Sequence, residues 1–278
     1  RSTLFPYTTL FRSPYSLERP WPEEANRQLT GRLTRLHFAP TEQARDNLLK
    51  EGVTADRIHV TGNTVIDALL TTTRRLHQDT GLADRVSRQF EYLDSSRRLI
   101  LVTGHRRESF GSGFEEICQA LKELSLRSDV QIVYPVHLNP NVREPVERLL
   151  GGLDSIHLIE PLEYVSFVYL MIRSFLVLTD SGGIQEEAPS LNKPVLVMRT
   201  TTERPEAVAA GTARLVGTSR HRIVDEVCKL LDDRDAYEAM ANGRNPYGDG
   251  RAAERIASVM AGRSTEGEDC EAGVKARA

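Results

Sequence analysis

LVLTDSGGIQEEAPSLNKPVLVM, residues 176–198, decides how the chain folds. Its two apolar runs, LVLT and PVLVM, do not alternate with polar residues, so each reads as a strand buried on both faces. Ser181-Gly182-Gly183 breaks the chain between them, and a helix carrying Gln185, Glu186 and Glu187 is expected from about Gly183. Strand, tight turn, helix and strand again is the text of a parallel sheet covered on both sides.

The same text runs outward in both directions. RLILVTG, from Arg98, reads as a strand, and residues 114–126 place Phe114, Ile117, Ala120, Leu121 and Leu124 at helical spacing. VQIVYPVH is the next strand, followed by a helix at 142–150, the strand IHLIEP, a helix at 164–173 and the strand FLVLTD. After PVLVM come the strand ARLVG, a helix at 223–231, the turn NPYGDG and a last helix at 252–260. Upstream of Arg98, LHFAP is a short buried strand, Thr41 caps a helix through about Glu51 with Glu42 in its first turn, and 58–61 is a strand. Thr61-Gly62-Asn63 makes a turn, and 65–93 reads as mostly helical and polar, a connector.

Composition narrows the function classes. At 40% hydrophobic and 27% charged residues the chain is an ordinary globular one, and a net charge of −3 supplies no global field to attract nucleic acid or membrane. Cys118, Cys228 and Cys270 are far apart, with no C-x-x-C or Cys/His spacing, so neither a disulfide framework nor a zinc site is expected. No apolar run reaches about 18 residues and no secretory leader is legible, which fits a cytoplasmic protein. There is no G-x-x-x-x-G-K-[ST], and no strand is followed by G-x-G-x-x-G, which disfavours kinase-type phosphoryl transfer and dinucleotide redox chemistry.

In an open parallel sheet, ligands bind outside the carboxyl ends of the strands. Four such ends stand out. After FLVLT, Gly182 and Gly183 let a backbone approach closely, Ser181 offers a hydroxyl, and the helix start presents N–H groups to a phosphate or diphosphate. A plain tight turn with an N-capping serine is the alternative. Glu187 either reaches a ribose diol or is a solvated carboxylate at a helix start. After RLILVTG, His105 could move a proton while Arg106 and Arg107 neutralise phosphate; a salt-bridged loop around Glu108 is the alternative. His137, after the third end, is either functional or a packed, satisfied histidine. Arg204, in the fourth, either holds a diphosphate or caps the neighbouring helix. Together these ends support a domain that binds a nucleotide diphosphate or nucleotide sugar, with acid–base groups nearby.

The strings SPYSLERPWPEEANRQLTGRL, FAPTE, TGNTVIDAL, LVTGHRRESFGSGFEEIC, VYPVHLNPNVREPV, LTDSGGIQEEAPSLNKPVLVMRTTTERPEAV, GTARLVGT and NPYGDG carry a resemblance to the bacterial non-hydrolysing UDP-N-acetylglucosamine 2-epimerases, over roughly Pro14 to Met260. The resemblance implies an α/β chain of glycosyltransferase type B architecture. It implies a complete C-terminal Rossmann-like domain at 96–240 and part of an N-terminal one at 14–66, joined by helical 67–95, with 241–262 crossing back. Residues 263–278 are expected to be a disordered tail, and 1–13, RSTLFPYTTLFRS, to be foreign sequence.

The implied activity is interconversion of UDP-GlcNAc and UDP-ManNAc by a cytoplasmic homodimer needing neither cofactor nor metal, with no nucleic-acid or membrane partner. UDP is eliminated to give 2-acetamidoglucal and re-added with a proton delivered to the other face of C2. By resemblance Ser181, Gly182 and Gly183 bind the diphosphate, assisted by Arg204 and Arg106. Glu187 holds the ribose, Phe167 lies by the uracil, and His105 and Glu23 are catalytic. Family members begin with a further segment that carries an Arg/Lys pair, a catalytic Asp and a second catalytic Glu; FRSPYSLERP replaces their EAGLR-like run, and Leu162 stands where glutamine is expected. Two other readings accompany the epimerase: a UDP-binding module lacking turnover, and a related type B glycosyltransferase.

Overall fold

A computed structural model describes residues 23–104 and 111–262. The described chain opens with α1 (Glu23–Leu33), β1 (His37–Ala39), α2 (Glu42–Lys50) and β2 (Ile58–Val60). β1 and β2 pair in parallel, and α2 packs Ala44 and Leu48 against Ala39 and Ile58. Thr41 caps α2 as expected, its hydroxyl accepting from the Ala44 N–H at 3.1 Å. Two helices follow, α3 (Thr64–Gln78) and α4 (Thr80–Ser87). The larger unit then runs β3 (Arg98–Thr103), α5 (Ser112–Leu124), β4 (Val130–Pro135), α6 (Pro140–Leu150), β5 (Ile156–Ile159), α7 (Tyr164–Arg173) and β6 (Leu176–Thr179). It continues through α8 (Gly182–Glu187), β7 (Val195–Val197), α9 (Pro205–Ala209) and β8 (Ala213–Leu215) to α10 (Arg220–Asp232), α11 (Arg234–Ala241) and α12 (Ala252–Met260).

The six strands β3 to β8 form one parallel sheet in the order β5-β4-β3-β6-β7-β8. The chain builds outward from β3 to β5, returns to the other side of β3, and builds outward again. Successive side chains of a strand point to opposite faces, which explains why these strands are apolar throughout. Ile100, Val102, Leu176, Leu178 and Leu196 join Phe114, Leu121 and Ile223 from α5 and α10 in one core. Leu99, Leu101, Val177, Val195 and Val197 join Ile66 and Leu69 of α3 and Val168 and Met171 of α7 in the other. Each such side chain contributes about 1.5–3 kcal/mol when fully buried.

Three features differ from the sequence reading. Residues 65–93 are not a polar connector: Ile66, Leu69, Leu76, Val86, Phe90 and Leu93 make an apolar stripe that covers the second face of the sheet. α1 was not legible because its only leucines, Leu29 and Leu33, are 70% and 88% exposed and form no buried stripe among the described residues. α11 was hidden because it follows α10 without a glycine or proline. Asp233 ends one helix and starts the next, its carboxylate accepting from the Ala236 N–H at 3.0 Å. Residues 1–22 and 263–278, expected to include foreign sequence and a disordered tail, lie outside the described residues.

The β1–β2 unit meets the larger one where the turn at Gly62 touches the turn at Gly248. The Asn63 N–H donates to the Tyr247 carbonyl at 2.7 Å. Gly62 and Gly248 have φ of +87° and +126°, and a Cβ on Gly248 would stand 3.2 Å from the Gly62 Cα. Glycine is therefore required twice, for the backbone angle and for the close approach. Beside this crossing, the Asp67 carboxylate of α3 accepts from the N–H groups of Ala252 and Ala253 at 3.1 and 2.8 Å. It caps α12, whose own N-cap residue Arg251 supplies no side-chain cap.

Gly248→Ala should therefore lower unfolding stability by about 2–3 kcal/mol, combining left-handed backbone strain with a backbone contact. Gly152→Ala, at φ +78° with nothing within 4 Å of its Cβ, should lose only about 1 kcal/mol. Urea titrations of both variants check this; equal losses would show that the crossing is loose.

Candidate functional site

The order of the sheet reverses between β3 and β6, so their carboxyl ends border the crevice where such folds hold ligands. Thr103 and Thr179 are register partners there, and their hydroxyls share a hydrogen bond at 2.5 Å. Thr179 Oγ1 also accepts from the Ser181 N–H at 2.9 Å, and Asp180 N donates to the Thr103 carbonyl at 3.1 Å. The turn is thus fixed from its strand side. Just past β3, Gly104 sits over the buried Tyr134, whose hydroxyl donates to the Gly104 carbonyl at 2.8 Å; a Cβ at 104 would come within 3.1 Å of the Tyr134 hydroxyl oxygen. Burial pushes the Tyr134 phenol well above its usual range, so it stays a donor.

Ser181 occupies the N-cap position of α8, yet its side chain makes no cap bond. The plain capping-serine reading therefore fails: the hydroxyl is not used to start the helix. Gln185 holds the turn from behind, donating from Nε2 to the Ser181 carbonyl at 3.1 Å while accepting from the Thr202 hydroxyl at 2.6 Å. Thr202 Oγ1 in turn accepts from the Arg204 N–H at 3.0 Å. One more ion pair, Arg199 to both carboxylate oxygens of Glu203 at 2.6 and 3.1 Å, ties down the 199–204 loop.

Arg204 is the backbone N-cap of α9, but its side chain does not cap that helix. It turns back over the glycine turn. A Cβ on Gly182 would lie 3.7 Å from both Cζ and Nη2 of the guanidinium, so glycine at 182 leaves room beside the arginine. Arg204 Nε pairs with Glu186 Oε1 and Nη1 donates to the Glu203 carbonyl at 3.1 Å. Glu186 Oε2 accepts from Asn63 Nδ2 at 2.7 Å, so both of its oxygens are engaged. Both Glu186 and Arg204 are buried.

Glu187 is 6% exposed, which excludes the solvated helix-start carboxylate. Its Oε1 accepts from the Tyr164 hydroxyl at 2.8 Å, while Oε2 carries no hydrogen bond among the described residues. Burial, with Glu186 adding to it, raises the Glu187 carboxyl above the usual range, and the Tyr164 hydrogen bond opposes this. Burial likewise raises Glu186, opposed by Arg204. Phe167 lies one turn along α7 from Tyr164, half-buried against the core that α7 shares with α8. Leu162 is also half-buried against that core.

Of the expected site residues, the structure brings Ser181, Gly182, Gly183 and Arg204 to one end of α8 and Glu187 to the other, with Phe167 on adjoining α7. His105 and Arg106 lie outside the described residues, and Glu23 is the first residue of α1 with its side chain outside the description. His137 is not a packed histidine: it is exposed, its Nδ1 accepting from the Asn139 N–H at 3.1 Å. Sequence reasoning missed Glu186, Tyr164, Gln185 and Thr202 as partners of the site. The Glu186-Glu187 pair was the one signal, since neighbours on a helix face different directions and cannot share one partner. Among the described residues, no three His, Cys, Asp or Glu side chains converge as a metal site, and no helix is long and apolar enough to cross a membrane.

Comparison with known proteins gives the family and the fold. The chain is 65% identical over 246 residues to a probable UDP-N-acetylglucosamine 2-epimerase of Ralstonia nicotianae, covering 88% of this chain and 66% of that protein. It is 59% identical over 245 residues to the UDP-N-acetylglucosamine 2-epimerase of Escherichia coli K12, covering 88% and 65%. This chain thus spans just under two thirds of the length of these relatives. A crystal structure of the Neisseria meningitidis UDP-GlcNAc 2-epimerase bound to UDP-GlcNAc superposes with a TM-score of 0.85 at 48% identity, covering 91% of this chain and 68% of that one. The parallel α/β, type B-like architecture expected from the sequence is the one it shares with this relative. The profile of one family, described as UDP-N-acetylglucosamine 2-epimerase, matches residues 12–261, and the chain belongs to that family.

Proposed function

We propose that the chain holds the UDP moiety of a UDP-sugar at the β3–β6 crevice and serves the interconversion of UDP-GlcNAc and UDP-ManNAc. One observation carries the reading. The Arg204 guanidinium overhangs Gly182 while the half-satisfied Glu187 carboxylate sits at the far end of the same helix, a cation for a diphosphate at one end and an acceptor for a ribose at the other. Ser181 and the glycine turn contact the diphosphate, Glu187 Oε2 accepts from the ribose hydroxyls, and Phe167 flanks the uracil. The Neisseria relative's complex with UDP-GlcNAc supports this substrate class.

In the reaction, a base removes the proton from C2 of the sugar as the C1–O bond breaks, a C1=C2 double bond forms, and UDP leaves as the anion held by the turn and Arg204. Re-addition reverses these changes with the proton delivered to the opposite face of C2. Holding the leaving diphosphate with donors arranged in advance lowers the barrier without reorganisation during the step. His105 and Glu23 are the acid–base candidates of this chain, and Arg106 a further diphosphate contact. The reading makes the protein an isomerase of nucleotide-sugar metabolism, working in the cytoplasm as a homodimer.

Calorimetric titration of the chain with UDP tests the binding half. Glu187→Gln should weaken UDP by about 10–100-fold, the equivalent of one charged hydrogen bond, and leave 2′,3′-dideoxy-UDP within about twofold. No heat at millimolar UDP would sink the reading altogether. The catalytic half is tested on a chain extended at its N terminus to the length of the relatives. It should convert UDP-GlcNAc to UDP-ManNAc, and His105→Ala should lower turnover by about 10²–10⁴-fold. Failure of conversion with intact UDP binding would leave the chain a binding module.

A further inference from the structure

The diphosphate contact expected of Arg204 comes from a side chain that is long, buried and rich in rotamers. The Glu203 carbonyl accepts from one of its donors, Nη1, at 3.1 Å, and the Glu186 carboxylate holds another. Glu186 meets Arg204 side-on through Nε, which aligns the planar fork, and the Nη2 end then stands over Gly182. Its other oxygen accepts from Asn63, the residue that caps α3 through Oδ1 to the Val65 N–H at 3.1 Å and whose own N–H is held by Tyr247. The partners are 123 residues apart in the chain, so the bond joins the nucleotide-binding sheet to the β2–α3 junction. A second bond crosses at the same place: the Thr41 hydroxyl, which caps α2, donates to Glu206 Oε1 at 3.0 Å, and Tyr247 Oη donates to Glu206 Oε2 at 3.2 Å.

We propose that Glu186 is a positioning residue for Arg204, and that through Asn63 it makes the grip on the diphosphate depend on where the β1–β2 unit sits. The inference rests on the UDP reading above. Glu186 touches no ligand in this arrangement, since both its oxygens are engaged by protein donors. Its hydrogen bond reaches the ligand through the guanidinium, so its effect falls chiefly on the diphosphate, and the charge it places beside Glu187 adds only a smaller part on the nucleoside side.

That difference is the test. UDP and uridine are titrated into the unmodified chain, Glu186→Gln and Asn63→Ser. Glu186→Gln keeps the shape of the side chain and removes its charge. Asn63→Ser keeps a helix-capping oxygen and removes the reach to Glu186. Each variant should bind UDP about 3–10-fold more weakly while its uridine affinity stays within about twofold. The double variant should lose little more than Glu186→Gln alone, as residues acting through one path do. Equal losses for UDP and uridine would reduce Glu186 to a structural residue. Tighter UDP binding by Glu186→Gln would show that the carboxylate withholds the arginine instead of presenting it, and would overturn the proposal. If the unmodified chain fails to bind UDP, the functional reading falls first, and the two failures are told apart by that measurement.

Discussion

Because the chain returns to the far side of β3 before it builds β6, the crossovers from these two neighbouring strands leave in opposite directions and open a gap at their carboxyl ends. Every other part of the site is set against that gap. The two threonine hydroxyls bridge its floor, Tyr134 props Gly104 from beneath, and the glycine turn enters from the β6 side. A helix that starts at such a gap can offer its first N–H groups to a polyanion or water instead of leaving them buried and unpaired.

Around the crevice the protein buries more charge than stability alone justifies. Taking a carboxylate and a guanidinium out of water costs several kcal/mol each, and a pair of this kind is often matched by well-packed apolar residues. Glu186, Glu187, Arg199 and Arg204 are nonetheless all below one tenth exposed. Each has a directed partner, Glu187 on one oxygen only, and those partners come from the 199–204 loop, α7 and the Asn63 turn. Buried charges held from several elements specify one geometry more tightly than an apolar cluster does, because a shifted partner leaves an ion unpaired. On the proposed reading, in which the site grips a leaving diphosphate, that rigidity is the useful property.

The sheet was legible because its strands are apolar on both faces, and each one read from the text of residues 98–217 is present, trimmed where a residue such as Asp180 already belongs to the turn. Strand order was not, since pairing of β3 with β6 joins residues far apart in sequence and leaves no local trace. The glycine turn, Glu187 and Arg204 could be picked out as strand-end residues. What each side chain does could not. Arg204 overhangs Gly182 while paired with Glu186, and Glu186 is bonded in turn to Asn63, so the answer sits in contacts between residues far apart in sequence. The amphipathic character of α3 was obscured by a polar outer face rich in threonine and arginine, although Ile66, Leu69 and Leu76 keep helical spacing.

The cap that Asp67 places on α12 has a bearing on how the chain assembles. An N-cap bond is worth about 1 kcal/mol, and a helix as short as Ala252–Met260 is marginal without one. Its cap is 185 residues upstream, so α12 gains this start signal only once α3 is in place on the sheet. Closing so long a loop before any reward is slow. The start of α12 therefore reports on the seating of α3, and whatever loosens the one frays the other.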